Sequence, residues 1–219
     1  MPDGRPVGQY ALIGLIAGVA LGLFSGLGDQ LPADTPLHVA VALANAAGPW
    51  LVTAFAVGAL VGTPVAGAIT ATLALIAAVA TYYLTIYALG FSVADLMRSA
   101  GVWLAVSIVV GPVLGAAGGA WRRPRRPLHR IGAAALLAGA LAAEGVLRLI
   151  QVEAWTGLDL ARTDIQVGLI ELAAAAVLPA VLLSSGERLR GYLATAGAAV
   201  GATLVTAGAL TVIQWVLLG

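Results

Sequence analysis

The chain has 219 residues, of which 61% are hydrophobic and only 10% charged, and its mean hydropathy is +1.00. Soluble domains carry about a quarter charged residues, so this composition excludes a water-facing surface. A net charge of +1 offers no footprint for nucleic acid, the lack of cysteine removes disulfide and thiolate chemistry, and eleven basic residues that are all arginine leave no lysine for a Schiff base.

The apolar residues fall in runs of about 20, the length an α-helix needs to cross a hydrocarbon core. The sequence predicts an all-α polytopic bundle of seven transmembrane helices in one domain over 1–219, with helices at 8–27, 37–61, 64–89, 101–120, 131–151, 166–184 and 191–217. The first follows a single Arg5 and lacks a small-residue cleavage site, so it reads as a retained anchor. It carries glycine at every fourth position: Gly14, Gly18, Gly22 and Gly26. Such stripes let helix backbones approach closely in lipid, where packing replaces water exclusion as the driving force. The spacing returns at Gly58 and Gly62, at Gly111, Gly115 and Gly119, and at Gly197 and Gly201. Packing within one bundle is the expectation, with homo-oligomerisation through the first helix as a second use.

Asp29, Pro32, Asp34 and Pro36 break the first connection. The second helix holds Asn45 just before Gly48-Pro49-Trp50, where a kink is expected to free backbone carbonyls. Gly62-Thr63-Pro64 marks a tight turn, and Ser92, Asp95 and Arg98 read as a short interfacial helix in the third connection. The fourth holds Arg122, Arg123, Arg125, Arg126 and Arg130, and the sixth adds Arg188 and Arg190. Connections one, three and five are net acidic, with Asp29, Asp34, Asp95, Arg98, Glu153, Asp159, Arg162 and Asp164. The positive-inside rule then gives a cytoplasmic N-terminus and an external C-terminus. The arginine run is read as a topological anchor among membrane lipid headgroups. Abundant alanine and arginine suggest a GC-rich, actinobacterial genome, hence a bacterial cell (inner) membrane.

A charge in hydrocarbon costs on the order of 3 kcal/mol, so each one inside a span needs a reason. Glu144 and Arg148 stand four apart with the acid first, the favourable order for a pair on one helix face. Glu171 on the sixth helix is then left over. Two acids and one base cannot all be ionised in a dry interior, so one carboxyl is expected to keep its proton at neutral pH. Such a group serves as a general acid or as a proton-coupling site. Asn45, Trp50, Tyr82 and Tyr83 are the expected wall of a substrate site, since aromatic faces stabilise cations by about 1–2 kcal/mol when desolvated. The predicted orientation places all of these in the external half of the bilayer, with Asp29, Gln151 and Gln166 at the rim. There is no Asp-rich motif to hold magnesium, and His38 and His129 fall on opposite sides of the membrane. No metal site or cofactor is therefore expected.

The segments N-A-A-G-P-W (Asn45 to Trp50), A-T-Y-Y-L (Ala80 to Leu84), G-P-V-L-G-A-A-G-G-A-W (Gly111 to Trp121) and L-A-A-E-G (Leu141 to Gly145) resemble an actinobacterial family of small membrane proteins of unknown function. In architecture, seven helices with buried acids and aromatics but no metal motif resemble the small membrane-bound terpene cyclases of drimentine and indole-terpenoid type. That resemblance implies a metal-independent cyclisation of a lipophilic, prenylated substrate. Glu144 or Glu171 would protonate the substrate, Trp50, Tyr82 and Tyr83 would stabilise carbocations, and Asn45 would orient the substrate or act as the final base. The rival class is a proton-coupled small-solute transporter or substrate-binding membrane subunit, with Arg148 holding an anion. A third is an accessory subunit whose charges only join helices.

Overall fold

The computed structural model describes residues 7–31, 37–124, 126–151 and 158–218. Among them are eight helices and no strand: α1 Val7–Gly28, α2 His38–Asn45, α3 Ala47–Val61, α4 Pro64–Ala88, α5 Val93–Arg122, α6 Pro127–Gln151, α7 Leu158–Leu182 and α8 Arg188–Leu218. Arg5, Pro32, Asp34, Pro36, Arg125 and Glu153, which enter the sequence-based topology, lie outside the described residues. Among the described residues α1, α4, α5, α6 and α7 are long and apolar enough to cross a membrane, and α2 with α3 makes a sixth if a bent pair is one span. On α1, Leu12, Ile16 and Phe24 are each more than half exposed, a surface that lipid solvates and water does not. The chain is a multi-pass helical membrane protein.

The second predicted helix is in fact two, bent by 58° at Ala46, whose ψ of 156° is extended. Pro49 explains the position. In a continuous helix its ring would strike the carbonyl of Asn45, four residues back, so the chain leaves the helix before that clash. The break therefore falls one turn ahead of the proline. Its freed backbone is satisfied locally: the buried Ser25 hydroxyl of α1 donates to the Ala44 carbonyl at 2.8 Å.

Two further boundaries differ from expectation. Asp95 and Arg98 lie in the first turns of α5, with no separate interfacial helix. α7 begins at Leu158, eight residues before the predicted 166, so Asp159, Arg162 and Asp164 belong to helix. Hydropathy reads such charged turns as loop.

The chain separates into two compact units, Met1–Ala133 and Ala134–Gly219. In the first, α1 lies on α4 at the glycine stripe: a Cβ at Gly14, Gly18 or Gly22 would stand 2.6, 2.1 or 2.4 Å from the carbonyl oxygens of Thr70, Ala74 and Ala78. The stripe is thus filled by α4 of the same chain, and a second copy would have to meet α1 on another face. Gly58, Gly67 and Gly115 bring α3, α4 and α5 together in the same way. Gly62, with φ 77°, turns α3 into α4 beside Arg123, and Pro64 opens α4 at the position where a missing N–H costs nothing. Tyr82 then lies roughly 27 Å along α4 from that arginine-bearing end. In the second unit, α6 meets α7 where a Cβ on Gly145 would stand 2.7 Å from the Gly168 oxygen, and α8 at Gly139. Gly197 and Gly201 of α8 face no described atom within 4 Å.

Candidate functional site

Most hydroxyls inside the apolar helices are accounted for by their own backbone. Thr70, Thr72, Thr85 and Ser107 each donate to the carbonyl four residues back, all at 2.8 Å. These bonds hide polar groups from lipid and offer nothing to a ligand. Among the described residues two larger clusters stand out, one in each unit.

The first is built on Arg148. Its Nη2 lies 3.1 Å from Glu144 Oε1, its Nη1 2.8 Å from Asp164 Oδ1, and its Nε 3.6 Å from Glu171 Oε2. Glu144 and Arg148 share a face of α6 by their four-residue spacing, and the Gly145–Gly168 contact brings α7 close enough for its carboxylates to arrive. Glu171 is only 2% exposed and heads the largest fully buried side chains. Three carboxylates thus converge on one guanidinium, a formal charge of −2 if all ionise (three negative, one positive). A guanidinium does not release its proton in proteins, so any proton exchanged here is a carboxylate's. Among the described residues no three His, Asp or Glu side chains are placed to share a metal ion.

The sequence anticipated Glu144, Arg148 and Glu171, and the structure brings them together. It missed Asp164, which hydropathy assigned to a connection. The signal was present in the spacing: Asp164, Gly168 and Glu171 stand at i, i+4 and i+7, one face of a helix.

The second cluster is a cleft of about 90 Å³ at the break between α2 and α3. Asn45, Trp50, Tyr82, Tyr83 and Trp103 line it, together with the backbone turn at Ala46. Tyr82 and Tyr83 set their rings at 86° with centroids 5.0 Å apart, forming a corner. Asp29, in the turn that closes α1, accepts hydrogen bonds from Asn45 Nδ2 and from the Tyr82 hydroxyl. The structure brings Asn45, Trp50, Tyr82 and Tyr83 together on this cleft. Asp29 is more than a rim residue, since it fixes two of the side chains that form the wall. Trp103 was missed, because a lone tryptophan near a helix end reads as an interfacial anchor.

The expected acids, with Arg148, therefore belong to one unit and the expected aromatic wall to the other. A model of the family of unknown function DUF6518 matches residues 1–217, and the chain belongs to that family. No curated protein and no solved structure matches it.

Proposed function

We propose that this DUF6518 member is a proton-coupled carrier of a small solute in a bacterial cell membrane. The observation that carries the reading is the ratio of three carboxylates to one guanidinium around Arg148. Each ionised group in a span costs on the order of 3 kcal/mol, which gives a cluster of three acids and one base a reason to exchange a proton. A carrier needs such a group, and it needs helices that break. The 58° bend between α2 and α3 supplies such a break, whereas α5 and α7 continue as helix through Pro112 and Pro179. The reading takes seven spans, with α2 and α3 as one broken span and α8 as the seventh. The arginine run at the start of α6 supports a cytoplasmic N-terminus and an external C-terminus.

Hydrogen exchange along α6 and α7, in lipid nanodiscs from mildly acidic to mildly alkaline pH, tests the reading. Protection is expected to change with pH in the wild type and to lose that dependence in Glu171→Gln. Protection that ignores pH in the folded wild type contradicts a carrier.

Cyclisation of a prenylated substrate is the second reading, favoured by the four aromatic rings on the cleft. An apolar cavity of about 150 Å³ takes benzene, so at about 90 Å³ a prenyl chain would lie mostly along the open side. Conversion of a farnesylated aromatic to a product of unchanged mass and shifted retention, lost in Glu144→Gln or Glu171→Gln, would favour it over transport.

A further inference from the structure

We infer that the cleft at the α2–α3 break is a binding site for a small organic cation of the methylammonium type, with Asp29 as its counter-ion. The inference rests on the carrier reading only in naming its solute. Three observations converge on it. Trp50, Tyr82, Tyr83 and Trp103 surround the cleft, and aromatic faces attract cations through their quadrupoles. The space of about 90 Å³ suits a compact head rather than an extended chain. Asp29 lies one hydrogen bond behind the wall, held by Asn45 and Tyr82.

The chemistry selects against the alternatives. A neutral apolar solute would gain nothing from a carboxylate behind the wall. An inorganic cation would look for several oxygens, whereas this wall is mostly carbon, and strongly hydrated ions do not shed water onto aromatic rings. An anion would be repelled by Asp29 behind Asn45 and Tyr82. Among the described residues no arginine is paired with Asp29, which there accepts from Asn45 and Tyr82. A methylated ammonium presents a soft, weakly hydrated charge to the rings and leaves the carboxylate to balance it at longer range. The Tyr82 and Asn45 bonds do a second job: they orient the carboxylate and hold the Tyr82 ring at its angle to Tyr83.

The same head occurs in a free solute and in a choline lipid, and lipid composition separates the two. Equilibrium binding of choline to the full chain is read by tryptophan fluorescence and by calorimetry at fixed pH. Nanodiscs of pure phosphatidylglycerol are compared with nanodiscs containing phosphatidylcholine. Saturable binding of choline, absent for its neutral isostere 3,3-dimethylbutan-1-ol, is expected in the first. Equal binding in the second supports a free solute, and competition there supports the same cation site filled by a lipid head. Asp29→Asn and Trp50→Phe are each expected to weaken choline about tenfold. Tyr82→Phe keeps the ring and loses the bond to Asp29, and should weaken it less. Equal affinity for choline and the neutral isostere, or no binding of either by folded protein, overturns the inference. So does undiminished binding in Asp29→Asn. Failure here with pH-linked exchange intact in α6 and α7 removes the cation site and leaves the carrier, and the converse result removes the carrier alone.

Discussion

The two units hold their helices by contrasting means. In residues 1–133, α1, α3, α4 and α5 approach at glycines until backbone meets backbone, as at Gly18 and Gly115, and the polar side chains gather at the helix break. In residues 134–219, α6 and α7 also meet at a glycine pair, but the contact is sealed by Arg148 and three acids. Close packing is insensitive to protons and gives a rigid wall. A charged seal is, on the reading proposed above, open to protonation. The first is suited to shaping a cleft and the second to responding.

The largest effect should come from breaking the charged seal. Arg148→Leu leaves three carboxylates without their shared guanidinium and is expected to cost about 3–5 kcal/mol, read by thermal unfolding in detergent. Adding Glu171→Gln should recover part of that loss. If the single variant is neutral, the cluster does not join the helices.

Next comes the packed unit. Gly18→Ala places a methyl 2.1 Å from the Ala74 carbonyl oxygen, which backbone cannot yield cheaply. A loss of about 1–3 kcal/mol is expected, with choline binding falling as α1 lifts from α4. Pro49→Ala is predicted to change stability by about 1 kcal/mol or less, since it removes the reason for the break and trims only a half-buried ring. Choline affinity should fall more than stability, because a straighter α2–α3 pair reshapes the cleft. The smallest effect belongs to Gly197→Ala, where no described atom lies within 4 Å. It should be neutral or gain up to about 1 kcal/mol from helix propensity. A large loss there would mean that α8 packs against a second copy.

Much of this was legible in the sequence. Run length gave an all-helical membrane chain, though not the split of the second helix, and four-residue spacing gave both the glycine stripe and the Glu144–Arg148 pair. Pro49 announced the break, though its effect falls at Ala46, because the steric conflict reaches back four residues. Other features were hidden. Hydropathy stops at the first charge, so it cut α7 short and put Asp164 in a loop. Asp29 looked like a turn residue, since the hydrogen bond from Tyr82 joins residues 53 apart in sequence. Nor did composition show that the acids and the aromatic wall belong to different compact units. Burial of one side chain against another is a tertiary fact, and periodicity within a helix does not report it.

The central claim is that the cluster on Arg148 takes up and releases a proton. Infrared difference spectroscopy of the protein in nanodiscs, stepping the pH and watching the carboxylic acid C=O stretch, reads this directly. A band that titrates in the wild type and disappears in Glu171→Gln, while persisting in Asp29→Asn, is the predicted result. A wild-type spectrum with no titrating carboxylic acid band, or one that Glu171→Gln leaves unchanged, would contradict the account.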